Sequence, residues 1–514
     1  MNLPKLTPQQ MVASLLLVIL GASWLCLSPT LGNDYVNFDD TKYVVFNPAV
    51  KSLSKESVAS MFTTLSGRQY HYVPLTLLSY ALEFRFHDLA PRIYHANNLF
   101  LHLLNTALCF WLVLVLFKDI RLAAIVALLF GIHQMHVESV ACISERKDLL
   151  YSFFYLAGLV FYVKYVDAGK RRLLGISFIL FVLSLLSKPM AVTFPLILCV
   201  IDRQRARRIS MPVFLEKLPF LLGSFIVGLI TLLPKDFPVV EFEKGYSWFE
   251  RLLMASHNLF QYVLKAAYPQ NLSAYYPLPA RVNGSLPPVF LAAPLLAVLL
   301  LGALYVLSKR NARIAFGALY FLLTIVLVLN FFPLGNILMA EHYSYLAYIG
   351  IFIIFTELFF ESLKSPRFGA SFKKILVASA IFWVLLLGFK SYKRTFIWFN
   401  SETLWANVLD QYPREAFAYY NLADHYVRLQ QFEKAIEQYD LALEADPQYF
   451  SAYNNRANMH FLLGRLEEAE ADYRSSIAAN PRIEMPYANL ARLYESLGRH
   501  EEAEELLKAF NRLR

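Results

Sequence analysis

The sequence predicts an all-α protein in which a polytopic membrane domain is followed by a short solenoid of paired helices. Three observations predict this fold class. The chain has 514 residues, of which 57% are hydrophobic and only 17% charged, a balance typical of membrane proteins. Long apolar runs recur up to about residue 391, and a 34-residue period follows them. We therefore expect a membrane domain over residues 1–394 and a repeat domain over residues 395–514.

Eleven apolar runs approach the length that crosses a bilayer, so the sequence predicts about eleven transmembrane helices. The first run has only Lys5 before it and no small-residue cleavage site after it, which favours a retained helix over a signal peptide. Lys188 and Pro189 separate two short runs, which are either two short spans or one broken element. The runs are 11–31, 97–117, 122–140, 149–167, 173–187, 190–201, 213–233, 289–308, 314–333, 345–363 and 374–391.

Clusters of lysine and arginine lie in alternate loops between these runs, and this bias predicts the topology. The clusters fall at 118–121, 170–172, 203–208, 309–313 and 364–374. They place the N-terminus in the cytoplasm, and the loops 32–96 and 234–288 and the repeats outside. From Pro413 onward there are 17 acidic and 12 basic residues, a net charge of −5. Because the whole chain carries +9, the part before Pro413 carries a net charge of +14. That charge indicates anionic lipid, not nucleic acid, as the partner.

Amphipathic segments also occur in the two predicted outer loops. Residues 52–65, 72–88 and 248–267 carry apolar side chains at helical spacing. We expect these segments to form helices that lie in the membrane interface.

Two adjacent carboxylates, Asp39 and Asp40, come directly after the first apolar run, which Pro29 and Gly32 close. They are therefore expected at the membrane surface, where a lipid-linked substrate presents its head group. A carboxylate in this place can act as a general base. The alternative is a solvated loop whose acids cap the next helix, and the sequence leaves both interpretations open.

Further polar side chains lie within the apolar runs, where they are costly and often functional. One polar stripe on the second run should face the bundle interior, more as a structural network than as a catalytic one. It consists of His95, Asn98, His102 and Asn105. At the end of the third run, His133 and His136 share a helix face, but Glu138 is turned roughly 200° from His136. That helix alone is a poor metal site.

Basic side chains are expected at the outer ends of the runs. Arg146, Lys147 and Lys188 lie there, with Glu341 and His342 in a short outer loop. Cations in this place can hold the phosphate of a lipid carrier, although interfacial anchoring is the alternative. The sequence contains no phosphate-binding P-loop, GxSxG elbow, CxxC pair or dinucleotide fingerprint, so nothing supports nucleotide chemistry or triad hydrolysis.

The C-terminal part has a 34-residue period marked by Pro447 and Pro481, with tyrosine and alanine at positions typical of tetratricopeptide repeats. A half repeat precedes three full ones, and each unit is a helix pair that buries its apolar face against its neighbours. The sixth position of each full repeat is asparagine: Asn421, Asn455 and Asn489. On the concave face, this asparagine ladder could grip a peptide backbone. The alternative is that asparagine is simply frequent at this position.

Six segments of the membrane domain, together with the repeats, resemble the transmembrane and tetratricopeptide-repeat O-mannosyltransferases of the C-type (GT-C) glycosyltransferase superfamily. They are NFDDTKYVVFN, YVPLTLLSYALEF, YHANNLFLHLLNT, GIHQMHVESVACISERKDLLYS, LSKPMAVTFP and MAEHYSYLAYIG, in the family's order. The resemblance implies a GT-C-type fold, a polyprenyl- or dolichyl-phosphate sugar donor, and an aspartate of the first outer loop as the base. Two positions depart from the family's pattern. Pro189 stands where eukaryotic relatives usually have glutamate, and His342 stands where arginine is usual.

We therefore expect an integral membrane glycosyltransferase that moves a sugar from a polyprenyl-phosphate carrier to an acceptor hydroxyl on a protein, with inversion. The expected catalytic residues are Asp39 and Asp40. The expected donor-phosphate ligands are Arg146, Lys147, Lys188 and His342. Supporting roles are expected for His71, His133, His136, Glu138, Asp148 and Glu341. No metal ligands are assigned, no cofactor follows with certainty from the sequence, and a divalent cation is left open.

The expected partners are the lipid-linked sugar, an acceptor protein bound by the repeats, and membrane lipid. The active site and the repeats should lie on the periplasmic, extracytoplasmic side of the inner (plasma) membrane. Two other functions remain open. A non-catalytic scaffold for envelope assembly needs no acid pair, so Asp39 argues against it, whereas a ligase would use a pyrophosphate-linked oligosaccharide.

Overall fold

The computed structural model is all-α and describes residues 7–64, 71–208, 210–233, 245–332 and 337–513. The chain divides into two compact units. The first unit comprises Met1–Tyr35 and Asp39–Phe399, and the second comprises Val36–Phe38 and Asn400–Arg514.

The first unit contains the helices that follow the predicted apolar runs and outer loops. They are α1 (Pro8–Leu27), α2 (Lys55–Thr63), α3 (Pro74–His87), α4 (Pro91–Phe117), α5 (Ile120–Ile132), α6 (Val137–Ala141), α7 (Arg146–Ala168), α8 (Arg171–Ser187), α9 (Phe194–Gln204), α10 (Met211–Leu215), α11 (Leu218–Leu232), α12 (Trp248–Ala267), α13 (Pro288–Arg310), α14 (Ala312–Ile325), α15 (Tyr348–Lys364) and α16 (Ala370–Thr395). Short turns of 3-10 or π helix connect several of them.

Six helical segments in the described ranges are long and apolar enough to cross a membrane. They are Pro8–Gly32, Pro91–Phe117, Ile143–Ala168, Met211–Leu232, Pro288–Arg310 and Ala370–Trp398. The pair Ile120–Ile132 and Gln134–Ala141 makes a seventh if its two parts, bent by 57°, form one span. The protein is therefore an integral membrane protein with several candidate spans.

The sequence predicted eleven spans, whereas six or seven of these helical segments are long and apolar enough to cross a membrane. Each predicted run contains a helix, but α8 and α15 have 17 residues, or about 26 Å, which is less than a hydrocarbon core of about 30 Å. Local breaks explain the shortening. His133 leaves the helical conformation after α5, and Lys188 is extended after α8, as a residue before proline prefers.

The outer-loop segments form the helices that their periodicity predicted, with residue 65 outside the described ranges. α12 begins with a capping box between Ser247 and Glu250. α3 packs within the protein, since Thr76 and Tyr80 are buried. Thr76 donates to the backbone oxygen of Ser187 at 3.0 Å, and Tyr80 to that of Ile143 at 2.7 Å. These bonds fix the two segments that precede Lys188 and Arg146.

The predicted basic loops meet at one end of the first unit. Arg205 bonds Asp167 and the backbone oxygens at the end of α4. Arg313 pairs with Asp119 and Glu357 at 3.0 and 2.7 Å. α4 has 27 residues, so its first turn lies about 40 Å from this basic end.

The second unit consists of helix pairs with small and aromatic side chains in their cores. The helices are α17 (Ser401–Gln411), α18 (Ala416–Arg428), α19 (Phe432–Ala445), α20 (Phe450–Leu462), α21 (Leu466–Ala479), α22 (Glu484–Ser496) and α23 (His500–Asn511). Ala423, Ala435 and Tyr439 belong to one apolar cluster of this unit. The side chain of Asn37 also belongs here, because it accepts a bond from the Trp405 indole at 2.6 Å.

Candidate functional site

Asp39 and Asp40 stand next to each other, yet their carboxylates lie in different surroundings. Asp40 is fully buried, and its Oδ1 accepts a hydrogen bond from the backbone N–H of Ser144 at 2.7 Å. The thiol of Cys142 lies 3.4 Å from the same oxygen. The Asp39 side chain keeps 32% of its surface exposed. One carboxylate therefore holds a buried loop in place, while the other is accessible to a substrate.

Lys147 lies beside the exposed carboxylate. Its Nζ is 3.5 Å from Oδ2 of Asp39 and 2.8 Å from Oε1 of Glu145, and it is 4.5 Å from the centre of the Tyr43 ring. Lys147 occupies the second position of α7, where a cation opposes the helix dipole. Helix stability alone does not explain a lysine there, whereas the carboxylates and the ring around it do.

Lys188 joins the same region from the break after α8. Its Nζ is 2.7 and 2.8 Å from the two oxygens of Asp148 and 3.9 Å from Oε2 of Glu145. The side chain is buried, so its charge is balanced within the protein. Lys147 and Lys188, from different parts of the chain, therefore share the acid Glu145.

His342 contributes a third positive group, from the 3-10 turn Glu341–Ser344. Its Nδ1 lies 2.9 Å from Oε1 of Glu138, whose other oxygen accepts the His342 backbone N–H at 3.0 Å. Its Nε2 is 3.8 Å from Oε2 of Glu145. Burial lowers the pKa of His342, but the carboxylates of Glu145 and Glu138 outweigh burial and raise the pKa above the usual histidine value. The ring therefore keeps its positive charge to a higher pH than a free histidine.

We call Lys147, Lys188 and His342 the cation cluster. Four carboxylates lie within 4 Å of its nitrogens: Asp39, Glu138, Glu145 and Asp148. Among the described atoms, Oε2 of Glu145 has no hydrogen-bond partner. This oxygen lies within ion-pair distance of Lys188 and His342, so the charges of the cluster are held in place by acids.

The same acids offer the ligands that a divalent cation could use. Glu145, Asp148 and His342 each present one ligand atom, and these atoms lie within 4.8 Å of one another. Two carboxylates and an imidazole suit such an ion. The Lys188 ammonium, however, already contacts both oxygens of Asp148. A divalent cation would fit here only if that side chain moved.

Glu341 and Arg394 form a buried ion pair beside this region. Nε of Arg394 donates to Oε2 of Glu341 at 3.0 Å, and Nη2 bonds Oε1. The hydroxyl of Tyr276 donates to Glu341 at 3.1 Å. The pair links the turn that carries His342 to the end of α16, so Glu341 is placed to position that turn.

Arg146, expected as a phosphate ligand, points away from the cation cluster. Its Nε donates to Oδ1 of Asn98 at 2.8 Å, Nη2 donates to the backbone oxygen of Tyr94 at 2.8 Å, and Nη1 lies 2.5 Å from Oε1 of Glu83. The guanidinium also stacks over the Tyr80 ring at 4.7 Å. All three of its nitrogens are engaged and the side chain is buried, so Arg146 ties α3 and α4 to α7.

The histidines at the end of the third run are also engaged in structural contacts. Nε2 of His133 lies 3.1 Å from the Ala266 oxygen, and Nδ1 of His136 lies 2.8 Å from the Phe130 oxygen. Both rings are buried. His133 connects the bend after α5 to the end of α12, and His136 bonds back to α5. Neither ring belongs to the cation cluster.

The polar stripe on α4 faces the interior, as predicted, since all four of its side chains are fully buried. Asn98 donates to the Cys142 oxygen at 3.1 Å, and Asn105 to the Leu149 oxygen at 2.9 Å. Nδ1 of His102 lies 2.8 Å from the Tyr345 hydroxyl. The stripe thus holds the segment around Ser144 against α4, the structural role that the sequence favoured.

A cavity of 410 Å³ opens beside the turn that carries Asp39. Its lining combines polar side chains with apolar ones from the same segment: Thr41, Asn47, Ser60 and His71 with Phe46, Met61 and Leu77. His71, expected in a supporting role, is exposed at this cavity and not among the buried cations. The cavity therefore offers both polar and apolar contacts close to the acid pair, although neither aspartate lines it.

Sequence reasoning missed several residues that shape the site. Ser144 and Cys142 contact Asp40, Tyr43 covers Lys147, and Arg394 holds Glu341. Only Arg394 gave a signal, because with Lys390 and Lys393 it falls on the outer side of the predicted topology, against the charge bias. The others are common residue types whose roles depend on contacts with distant parts of the chain.

In the second unit, the asparagine ladder lies on the first helix of each repeat, as the register predicted. Nδ2 of Asn421 donates to the Phe417 oxygen at 2.7 Å, and Nδ2 of Asn489 donates to Oδ1 of Asn454 at 2.9 Å. Asn455 donates to the Tyr420 hydroxyl at 3.0 Å. Each amide N–H₂ group thus already has a bond, so a peptide would use the amide oxygens or replace these bonds.

Two family models, each described as tetratricopeptide repeat, match the C-terminal helices. One matches residues 401–450 and 420–482, and the other residues 486–514. The helices α17–α23 are therefore tetratricopeptide repeats, as the 34-residue period predicted.

A search of solved structures finds similarity to a crystal structure of ArnT from Cupriavidus metallidurans bound to undecaprenyl phosphate. The two chains are 14% identical with a TM-score of 0.37, and the match covers 91% of this chain and 80% of that one.

The relatives found by sequence carry the name protein O-mannosyl-transferase. One from Caenorhabditis elegans is 26% identical over 461 residues, which are 84% of this chain and 63% of the relative. TMTC1 of Mus musculus is 32% identical over 30% of this chain and 17% of its own, and human TMTC3 is 28% identical over 33% and 20%. The chain thus spans less than two thirds of these relatives. The resemblance to the tetratricopeptide-repeat O-mannosyltransferases, which the six segments predicted, is confirmed over most of the chain.

Proposed function

We propose that this protein transfers a sugar from a polyprenyl-phosphate carrier to a hydroxyl group of an acceptor protein, with inversion at the anomeric carbon. The observation that carries the proposal is the accessible carboxylate of Asp39, 3.5 Å from the first member of a buried cation cluster. Such a transfer needs a base for the acceptor and positive charge for the leaving phosphate. The resemblance to protein O-mannosyl-transferases supports the same reaction class.

In the proposed reaction, Asp39 takes the proton of the acceptor hydroxyl. The acceptor oxygen forms a bond to the anomeric carbon while the bond from that carbon to the phosphate oxygen breaks. The carrier leaves as polyprenyl phosphate, and Lys147, Lys188 and His342 stabilise the negative charge that grows on it. Asp40 and Arg146 act as positioning residues, because both are buried and bonded to neighbouring elements.

The acceptor approaches, in this proposal, from the 410 Å³ cavity beside Asp39. Its mixed lining, with the polar groups of Thr41, Asn47 and Ser60 among apolar side chains, suits a peptide backbone with a hydroxyl side chain. The repeats would hold the remainder of the acceptor protein through the asparagine ladder. The sugar would come from the other side of Asp39, where the cation cluster receives the phosphate.

The reaction is assayed with purified protein in lipid nanodiscs, with undecaprenyl-phosphate mannose as the donor and an unstructured serine- and threonine-rich protein as the acceptor. Intact mass spectrometry should show the gain of single hexoses. Asp39→Asn should abolish the gain, while Asp34→Asn, an exposed aspartate of the same loop, is the matched control. Undecaprenyl-phosphate donors that carry other monosaccharides test which sugar is transferred.

The two alternative functions give different results in this assay. A ligase would transfer an oligosaccharide from undecaprenyl pyrophosphate and would not use undecaprenyl-phosphate monosaccharides. A scaffold would transfer nothing from any donor. Either outcome would remove the reaction proposed above.

We further propose that the acid pair and the repeats lie on the extracytoplasmic side, as the charge bias predicts. In a Cys199→Ser background, which removes the exposed native cysteine, Glu56→Cys should react with an impermeant maleimide in intact cells. Arg208→Cys should react only after permeabilisation. The reverse pattern would invert the topology and exclude a donor head group on the outer side.

A further inference from the structure

A groove of 710 Å³ lies at the basic end of the first unit, between the ends of α4 and α7 and the start of α8. Lys118, Lys164 and Lys170 line it together with the apolar side chains of Leu114 and Leu173. The three lysines are exposed. The groove thus combines three cations with an apolar wall, at the end of two helices that can span the membrane.

The charges of this groove are not balanced by the protein. In the ranges that the structure describes, none of the three lysines forms an ion pair with a carboxylate. The one carboxylate in the lining, Asp167, pairs with Arg205 at 2.8 Å. The groove therefore keeps its three positive charges for a partner outside the chain.

Several cations at the same end are paired with acids. Arg313 contacts Asp119 and Glu357, and Arg207 contacts Glu216 at 2.8 Å. Three unpaired lysines around one concave surface are what distinguishes the groove.

We propose that this groove binds the head group of an anionic phospholipid. The phosphate oxygens would accept bonds from the ammonium groups of Lys118, Lys164 and Lys170. An acyl chain would lie against Leu114 and Leu173, which favours a lipid over a free anion. The groove and the cation cluster lie near opposite ends of α4, so this lipid is not the sugar donor, and the inference does not depend on the proposed reaction.

The test compares two triple variants of the full-length protein by native mass spectrometry. The groove variant carries Lys118→Gln, Lys164→Gln and Lys170→Gln. The matched control carries Lys364→Gln, Lys373→Gln and Lys374→Gln, three lysines of another basic loop with the same change in charge. Each protein is titrated with phosphatidylglycerol and with phosphatidylcholine.

Wild type and the control should bind phosphatidylglycerol more tightly than phosphatidylcholine, and the groove variant should lose this preference by a factor on the order of 100. Equal losses in both variants would show that surface charge in general attracts the lipid, and would overturn the site. An unchanged preference in the groove variant would overturn it as well.

A measurement on the wild-type protein keeps the test independent of how the variants fold. In vesicles that contain phosphatidylglycerol, Lys118, Lys164 and Lys170 should be protected from acetylation relative to pure phosphatidylcholine vesicles. Lys364, Lys373 and Lys374 should change less. Equal reactivity of the two sets in both kinds of vesicle would contradict the proposal.

Discussion

The different surroundings of Asp39 and Asp40 make a sharp prediction about what each carboxylate does. Asp39 is accessible and lies 3.5 Å from Lys147, whereas Asp40 is buried and bonded to the backbone of Ser144. We expect Asp39→Asn to stop transfer without changing stability. We expect Asp40→Ala to destabilise the protein and Asp40→Asn to restore much of the loss.

The magnitudes follow from the contacts. Loss of a general base lowers a rate by about 10²–10⁴. Removing the Asp40 carboxylate leaves the buried N–H of Ser144 without this acceptor, which costs about 1–3 kcal/mol. The amide oxygen of an asparagine can still accept that bond at 2.7 Å, so Asp40→Asn should lose only the charge-assisted part of it.

The assay measures single-turnover transfer and thermal unfolding on the same purified samples. Single turnover separates the chemical step from product release. Asp39→Ala serves as a second probe, since it removes the base without supplying an amide, and it should be as inactive as Asp39→Asn.

The reasoning fails if the two positions exchange their effects. Asp40 would be the base if Asp39→Asn kept full activity while Asp40→Asn lost activity at normal stability. Equal loss of stability at both positions would show that Asp39 is also a structural residue.

Three further predictions concern the cations and the repeats. Transfer should fall as pH rises through the raised pKa of His342, because the protonated ring holds the phosphate. His342→Arg should remove this fall, and an unchanged pH profile would exclude the ring as the titrating group. Lys188→Met should destabilise the protein by about 3–5 kcal/mol, because it leaves the buried Asp148 carboxylate without this partner. The double variant Lys188→Met/Asp148→Leu should recover stability, measured by denaturant unfolding, but should not recover transfer. Recovered transfer would mean that Lys188 is only a structural residue. Replacing the asparagine ladder by alanine should raise KM for a protein acceptor and spare a short peptide, whereas unchanged kinetics would make the ladder structural.

The sequence determined what depends on local pattern. Apolar runs, the 34-residue period and the basic loops follow from hydrophobicity and spacing, and they predicted a helical membrane protein with tetratricopeptide repeats. The resemblance of six segments added the reaction class and pointed to the acid pair. The family's motif ranked Asp39 ahead of Asp40, but it did not show that Asp40 is buried. Adjacent residues on a helical turn differ by about 100° in direction, and only packing decides which direction is buried.

The tertiary structure decided which distant side chains meet. Lys147, Lys188 and His342 are far apart in sequence, and shared carboxylates bring them together. Arg146 is adjacent to Lys147, yet it faces Glu83 and Asn98. Spacing alone cannot predict this division, because a buried charge goes where its hydrogen bonds and counter-charges are complete. The number of spans was also decided by structure. The break after α5 divides a run that composition made continuous, and α8 and α15 are too short to cross the hydrocarbon core.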